Sequence, residues 1–503
     1  MRRLECRRGE ADLEVEIFPA FNYARDRHST QIVSARDEPG MRANGSIHGT
    51  EDRQTVVFKS DSLGLQLDVI INYDSSSSDI QNIRKQRSNF QLQSRESLLG
   101  EGITASIHLM EGVGVSFILR DLSDTNAENP TKGLICELQE DTLRYWSKWI
   151  SQCNYKGRFR EVIERSLMIL KLLTYEPTGA IIAAPTFSLP EDFGGSRNWD
   201  YRYSWIRDSS FTIYVLLRMG FTEEAEAYVN YVSDRIQHSR TKEGAMPIMF
   251  GIRKDSDFEE IELSHLDGYR GSKPVRIGNG AALHMQLDIY GELMDGFYLY
   301  NKYGKPISYD QWVAIRETTD YLCGIWQEKD MSIWEVRGEK QNFVYSKIML
   351  WVAFDRALRL AEKRCLPCPN REKWLAIRDQ IYEDVMEKGF NKQLNSFIQS
   401  YESTNVLDAA VLIAPLVFFI APNDPRFLGT LKNILKSPER GGLTSTDLVY
   451  RYNTADSNDG KTLLLLQCGS HICDANRRRC RWPRRQLQHV YLLACRSPHS
   501  RKS

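Results

Sequence analysis

Glu161-Val162-Ile163-Glu164-Arg165-Ser166-Leu167-Met168-Ile169-Leu170 sets Val162, Ile163, Leu167 and Leu170 on one face of a helix, whereas the earlier stretch Leu63-Gly-Leu65-Gln-Leu67-Asp-Val69-Ile-Ile71 is apolar at every second position. Periods of 3.6 and 2.0 cannot belong to the same kind of secondary structure, so the chain changes class between them. Leu13, Val15 and Ile17, and then Val113, Val115, Phe117 and Leu119, repeat the alternation, and the serine-filled break from Asp74 to Asp79 separates strands. This front region reads as part of an antiparallel β-sandwich, incomplete because its strands begin almost at Met1. After about residue 137 helical stretches recur through Leu216, Ala225, Met285, Trp312, Ile348, Ile377, Leu412 and Leu431, about nine helices in all. No fixed repeat of about 20 to 50 residues runs through them, which argues against a solenoid and for a bundle or toroid.

The expected class is therefore α+β and multidomain. A partial sandwich occupies 1–125, a linker helix region 126–157, a bundle or toroid of helices carrying the active face 158–460, and a basic tail 461–503. Composition fits a globular protein: 503 residues, 42% hydrophobic, 26% charged, with 66 basic side chains against 66 acidic. The balance excludes collagen-like and disordered classes and argues against nucleic acid as the main partner. No run nears the roughly 18 apolar residues of a membrane span and the stretch Met1-Arg2-Arg3-Leu4-Glu5 lacks the apolar run of a signal peptide, so the expected address is cytoplasmic, away from any membrane. The cysteines do not form a secreted disulfide framework, and Cys365-Leu-Pro-Cys368 lacks a second pair at metal spacing, so it reads as a loop.

The tail differs in kind. It holds eight Arg and two Lys against Asp474 alone. It reads as a disordered basic extension, as out-of-frame translation, or as a zinc set of Cys468, His471, Cys473 and Cys480 whose spacing matches no common finger. Nucleic-acid binding driven by the tail is a rival reading, whose signature would be steep salt dependence; the expected partners include no nucleic acid.

Three loops carry candidate chemistry. Gly194-Gly-Ser-Arg-Asn-Trp-Asp-Tyr-Arg-Tyr-Ser-Trp-Ile-Arg-Asp208 mixes aromatics, arginines and aspartates as no core does. Aromatic faces stack on sugar rings while Arg and Asp supply forked donors and acceptors for hydroxyls, so the run suits a carbohydrate pocket. A structural alternative stays open, in which Arg202, Arg207 and Asp208 cap the helix near Ile206 and pair with one another. The second loop runs from His265 to Gly280 and leads to a helix with Gln286 and Asp288, placing Arg276 and Asn279 at a helix N-terminus. It matches neither phosphate-loop spacing. In the third, Ile333-Trp334-Glu335-Val336-Arg337-Gly338-Glu339, Glu335 stands between indole and valine. An apolar wall would raise its pKa toward that of a general acid, whereas Arg337, as a salt-bridge partner, would lower it.

The segments GGSRNWDYRYSWIRD, HLDGYRGSKPVRIGN and IWEVRGEKQNFVYSK, in that order, closely resemble bacterial-type members of glycoside hydrolase family 15, the glucoamylase-like and trehalase-like six-hairpin glycosidases. The resemblance covers about residues 1 to 455. It implies an N-terminal β-sandwich followed by an (α/α)6 barrel. It also implies release of terminal glucose from α-linked glucosides with inversion, using neither metal nor cofactor, on a carbohydrate such as a maltooligosaccharide or trehalose. On this resemblance Glu335 is the general acid, Arg207 and Asp208 grip the terminal glucose, Trp205 and Trp334 wall the pocket, and Arg276 and Arg337 lie among the substrate-binding motifs.

The resemblance also implies a glutamate base beyond the position of Tyr450-Arg-Tyr-Asn453, yet no glutamate follows Glu439. The first sandwich strands and last helices of the family are expected to be missing, with apolar faces of the first and ninth helices left open. The expected protein is thus a glycosidase with weak activity, or a sugar-binding relic or truncated product. Oligomeric state is unreadable.

Overall fold

The computed structural model describes residues 1–33, 51–73, 90–96, 98–123, 130–239, 245–253, 258–336, 338–445 and 448–453. The chain divides into two compact units, Met1–Ser151 and the residues from Gln152 onward. The tail candidates Cys468, His471, Cys473 and Cys480, together with Arg337, lie outside the described residues.

In the first unit, strands β1 (Arg2–Glu5), β3 (His28–Val33), β4 (Glu51–Ser60), β5 (Gly64–Tyr73) and β8 (Val113–Asp121) form an antiparallel sheet in the order β1-β8-β5-β4-β3. A second sheet orders β2 (Glu10–Ile17), β7 (Gly102–Met110) and β6 (Gln91–Gln93) as β2-β7-β6. The alternate residues Leu67, Val69 and Ile71 of β5 join Ile103, Ile107 and Leu109 of β7 in one apolar cluster, which is what period-two patterning on two sheets produces. Leu63 lies in the turn before β5 and is exposed. The intervening face of β5 is also buried: Ile70 and Asp68 are inaccessible, and the Asp68 carboxylate accepts from Thr55 and Gln66 and meets Arg120 at 3.2 Å. Helix α1 (Lys132–Ser151) closes this unit.

The second unit is helical: α2 (Arg160–Leu172), α3 (Ile206–Met219), α4 (Thr222–Ser239), α5 (Asp288–Tyr303), α6 (Tyr309–Ile325), α7 (Val344–Arg364), α8 (Arg371–Lys388) and α9 (Pro425–Ile434). With α1 this makes nine α-helices among the described residues. Helix α7 packs on α5, α6 and α8, and α5 packs on α3 and α4. Being buried on nearly all sides, α7 carries apolar residues at almost every position from Ile348 to Leu360 and is interrupted chiefly by the paired Asp355 and Arg356. Caps follow the sequence: Ser308 and Gln311 form a reciprocal capping box at α6, and Asp424 before Pro425 accepts from the Arg426 amide at α9.

Two positions named as helical are not α-helix. Met285 precedes α5, whose approach is occupied by a 3-10 turn over Gly280–Leu283, and Leu412 falls in a 3-10 turn over Ala409–Ile413. The expected exposure of apolar faces appears on α2, where only Leu167 is buried and Val162, Ile169 and Leu172 stay largely open. On α9 it is slight, because Phe427 and Ile434 turn inward and Leu428 alone among its leucines is exposed at 39% while Leu435 lies just past its end. Cys365 ends α7 in the left-handed region, and Cys368 lies in the loop before α8.

Candidate active site

The three candidate loops converge on one cavity of about 740 Å³, within the roughly 300–1,000 Å³ range of small-molecule sites. The first two are laced together by backbone contacts. Gly194 N donates to Ser272 Oγ at 2.9 Å, Asn279 Nδ2 donates to the Asp200 carbonyl at 3.1 Å, and Ser188 Oγ donates to the Arg276 carbonyl at 2.8 Å. Gly278 has φ +77°, and a Cβ there would stand 1.8 Å from the Glu259 carbonyl oxygen, so the close approach of the second loop to the segment that carries Glu259 and Glu260 requires glycine. The third loop joins through Met331 N to the Met285 carbonyl at 3.0 Å and Leu287 N to Asp330 Oδ2 at 2.9 Å.

Glu335 sits at the tip of the third loop with φ +54°, close after Ser332 at φ +64°. A non-glycine residue in the left-handed region costs on the order of 1 kcal/mol or more and persists where surrounding bonds over-determine it. Here Glu335 N donates to the Ser332 carbonyl and Val336 N to the Met331 carbonyl, fixing the turn that aims the carboxylate into the cavity. Glu335 Oε1 accepts from Trp205 Nε1 at 3.2 Å and from Gln286 Nε2 at 3.4 Å, and lies 3.7 Å from Arg207 Nη2.

The neighbours therefore differ from the expectation. The adjacent indole of Trp334 turns its N–H to Asp408, 3.0 Å from each oxygen, and the polar contacts of Glu335 are an indole N–H from Trp205, an amide and a guanidinium rather than an apolar wall. Consecutive residues in a tight turn point apart, so sequence adjacency to Trp334 placed the wrong indole.

Arg207 organises the floor. Its Nη1 donates to Gln286 Oε1 at 2.7 Å and to Asp288 Oδ2 at 3.0 Å, while Nε is 3.8 Å from Asp208 Oδ2. Arg207 is buried, and Asp288 wholly so, and breaking such a pair from one side typically costs about 3–5 kcal/mol. Arg207 and Asp208 thus touch only loosely, and the firm partner of Arg207 is on α5. Asp208 lies in the first turn of α3, its side chain about half open to the cavity; the confining walls push its carboxyl above the ordinary range, Arg207 opposes this, and Glu335 adds to it. Arg202 is a separate matter: it pairs with Asp200 at 2.7 Å and stacks on Phe187, a structural role.

At the other side of the cavity Arg276 bonds Glu260 at 2.5 Å and lies over the Trp199 ring at 4.5 Å. It belongs to the two-residue strand Arg276–Ile277, and Asn279 caps the 3-10 turn at 280–283 by accepting from the Ala281 amide; α5 begins later, at Asp288, so neither residue stands at its N-terminus. Glu191, bonded to Arg197 at 2.8 Å, and Tyr201 complete that wall. Among the described residues the cavity carboxylates besides Glu335 are Glu191, Asp208 and Glu260, two of them already in short ion pairs.

Trp205, Arg207, Asp208, Trp334, Glu335 and Arg276 all line this one cavity, as the sequence expectation grouped them. Sequence reasoning missed Arg451, which lines the cavity and covers the Trp334 ring at 5.3 Å, and Asp408, the acceptor for Trp334. Buried Asp408 is pushed up to about 6 by desolvation, against the donated bonds of Ala410 N, Trp334 and Gln399. The signal available for Arg451 was its segment Tyr450-Arg-Tyr-Asn453, read only as a landmark.

The chain is 43% identical over 295 residues to a trehalase of Thermoplasma acidophilum, covering 59% of this chain and 50% of that protein. It is 39% identical over 320 residues to a trehalase of Mycobacterium tuberculosis, covering 63% and 46% respectively. The chain thus spans about half the length of the curated relatives it matches. A bacterial glucoamylase crystallised with acarbose shares the fold at TM-score 0.51 and 15% identity over 81% of this chain and 64% of that one. No helix among the described residues is long and apolar enough to cross a membrane. The sequence model of the family described as glycosyl hydrolases family 15 matches residues 157–475, beyond the limit near 455 read from the motifs alone, and the chain belongs to that family.

Proposed function

We propose that this chain is an α-glucoside hydrolase of trehalase type, with trehalose as its substrate and Glu335 as the general acid that protonates the departing glycosidic oxygen. Arg207 and Asp208 grip the terminal glucose, Trp205 and Trp334 wall it, and Arg276, stacked on Trp199, faces the second sugar. Arg337 is assigned to substrate binding by its motif alone. The observation that carries this reading is that Glu335, turned into a sugar-sized cavity by its left-handed backbone, shares that cavity with Trp205, Arg207, Asp208, Trp334 and Arg276. The trehalases at about 40% identity favour trehalose over longer glucans. The architecture fitting this reading is a partial β-sandwich over 1–125, a linker helix region over 126–157, an incomplete (α/α)6 toroid over 158–460 and a basic tail over 461–503, whose first residues to 475 still fall within the family match.

Inversion requires a second, ionised carboxylate about 6.5–9.5 Å from the acid to activate water on the opposite face. Glu191 and Glu260 are committed to arginines, and Asp208 shares Arg207 with Glu335. On this reading no glutamate among the described residues takes the place of the family's base, a loss worth about two to four powers of ten in rate. Slow turnover with intact sugar binding follows. The test is glucose release from trehalose beside calorimetric titration: saturable binding with slow, Glu335-dependent release supports the proposal. Absence of binding overturns it. Binding with no release at all favours the catalytically silent relic, a reading that the intact grip and missing base also support.

A further inference from the structure

Beneath the cavity, α5 carries two carboxylates one turn apart, Asp288 and Glu292, exposed by only 0% and 2%. Arg207 from α3 bonds Asp288, and Tyr345 from α7 donates to Glu292 Oε1 at 2.5 Å. Two oxygens remain, Asp288 Oδ1 and Glu292 Oε2, with no donor among the described residues. Arg207 cannot neutralise both acids, for it also stands 3.7 Å from Glu335 and 3.8 Å from Asp208. An unpaired ionised carboxylate in such a place costs several kcal/mol, and the usual escape is to take up a proton. One proton resolves both problems. It cancels the excess charge and supplies the donor that the two leftover oxygens lack.

We propose that Glu292 is held as the neutral acid, donating its proton to Asp288, and that this singly charged pair is the positioning unit that sets Arg207 against Glu335 and the bound sugar. The positioning half rests on the function proposed above; the proton half does not. Burial, then the Asp288 charge, drives the Glu292 carboxyl well above its ordinary range, against Arg207 and the Tyr345 bond. The charged and titratable groups facing the pair are Arg207 and Asp208 of α3, Tyr345 of α7, Glu335 of the third loop and Asp330, whose carboxyl is itself pushed up to about 7 by burial and by Asp288. Asp295, one turn further along α5, is neutralised by Arg356 at 2.6 Å.

An acid whose folded pKa is raised loses stability as pH climbs from its unfolded value, 4.5, toward the folded one. Denaturant unfolding of the full chain and of Glu292→Gln should therefore diverge as pH rises above 5. The equilibrium constant for unfolding of the unaltered chain should rise relative to the variant by about tenfold per pH unit, the weight of one proton. Asp330 and Asp208 are common to both proteins and cancel. A ratio independent of pH means that Glu292 is ionised in the fold and overturns the proposal. If Glu292→Gln does not fold, Asp288→Asn serves instead. It hands Arg207 to an ionised Glu292 and removes the same tenfold slope, and an unchanged slope again overturns it. For positioning, calorimetry with trehalose should give Asp288→Asn at least tenfold weaker affinity than Glu292→Gln, and equal affinities overturn that half. Should the unaltered chain bind no trehalose, the functional reading falls while the slope still decides the proton.

Discussion

Helices α2 and α7 are made of similar residues and have opposite fates. Helix α7 is buried from Val344 to Ala361 with few interruptions, whereas α2 buries only Leu167 and leaves Val162 and Ile169 about 60% exposed. Both border the reactive region: Leu170 of α2 lines the cavity directly, while Tyr345 of α7 holds the acids beneath it. The difference teaches that Arg207, Asp288 and Glu292 are anchored through the well-packed helices α3, α5 and α7, whereas α2 lends Leu170 to the cavity while burying little of itself.

That contrast can be broken most severely in the core. Phe354→Ala on α7, where the ring is wholly buried, should lower the unfolding free energy by about 3–5 kcal/mol, measured by denaturant titration. A loss below about 1 kcal/mol would mean that α7 is not the keystone. Next comes Arg207→Ala, which strands Asp288 without its cation and should cost about 3–5 kcal/mol while abolishing sugar binding by calorimetry. Retained binding would remove Arg207 from the grip.

Asp408→Asn sharpens the comparison through pH. Because the Asp408 carboxyl is raised from 3.8 to about 6 in the fold, its proton stabilises the native state at low pH, and that contribution is lost as pH rises between those values. The unaltered chain should therefore lose about 3 kcal/mol relative to the variant across that window. A difference that stays flat would show Asp408 to be ionised throughout. Smallest of all, Ile169→Lys on the open face of α2 should change stability by no more than about 0.5 kcal/mol in the same titration. A large loss would show that this face is covered.

Much of this arrangement was legible in the chain because periodicity and loop composition are local. The alternation of Leu67, Val69 and Ile71 and the clustering of Trp205, Arg207 and Asp208 each follow from neighbours in sequence. What escaped depends on partners far apart. Trp334 finds Asp408, 74 positions on, and Arg207 finds Asp288, 81 positions on, rather than the aspartate beside it. Charge pairing across a helical core has no period, and a left-handed residue such as Glu335 reverses the direction that sequence adjacency suggests. Leu412 misled for a related reason: an apolar run fits an α-helix and a 3-10 turn equally well, and the Asp408 cap at its head is spent partly on Trp334.

Glucose release from trehalose, followed for the unaltered chain and for Glu335→Gln side by side, bears most directly on the site. The expected result is slow but measurable release that falls by a further 100-fold or so when the acid is replaced by its amide. Equal release by the two proteins would contradict the assignment of Glu335 as proton donor.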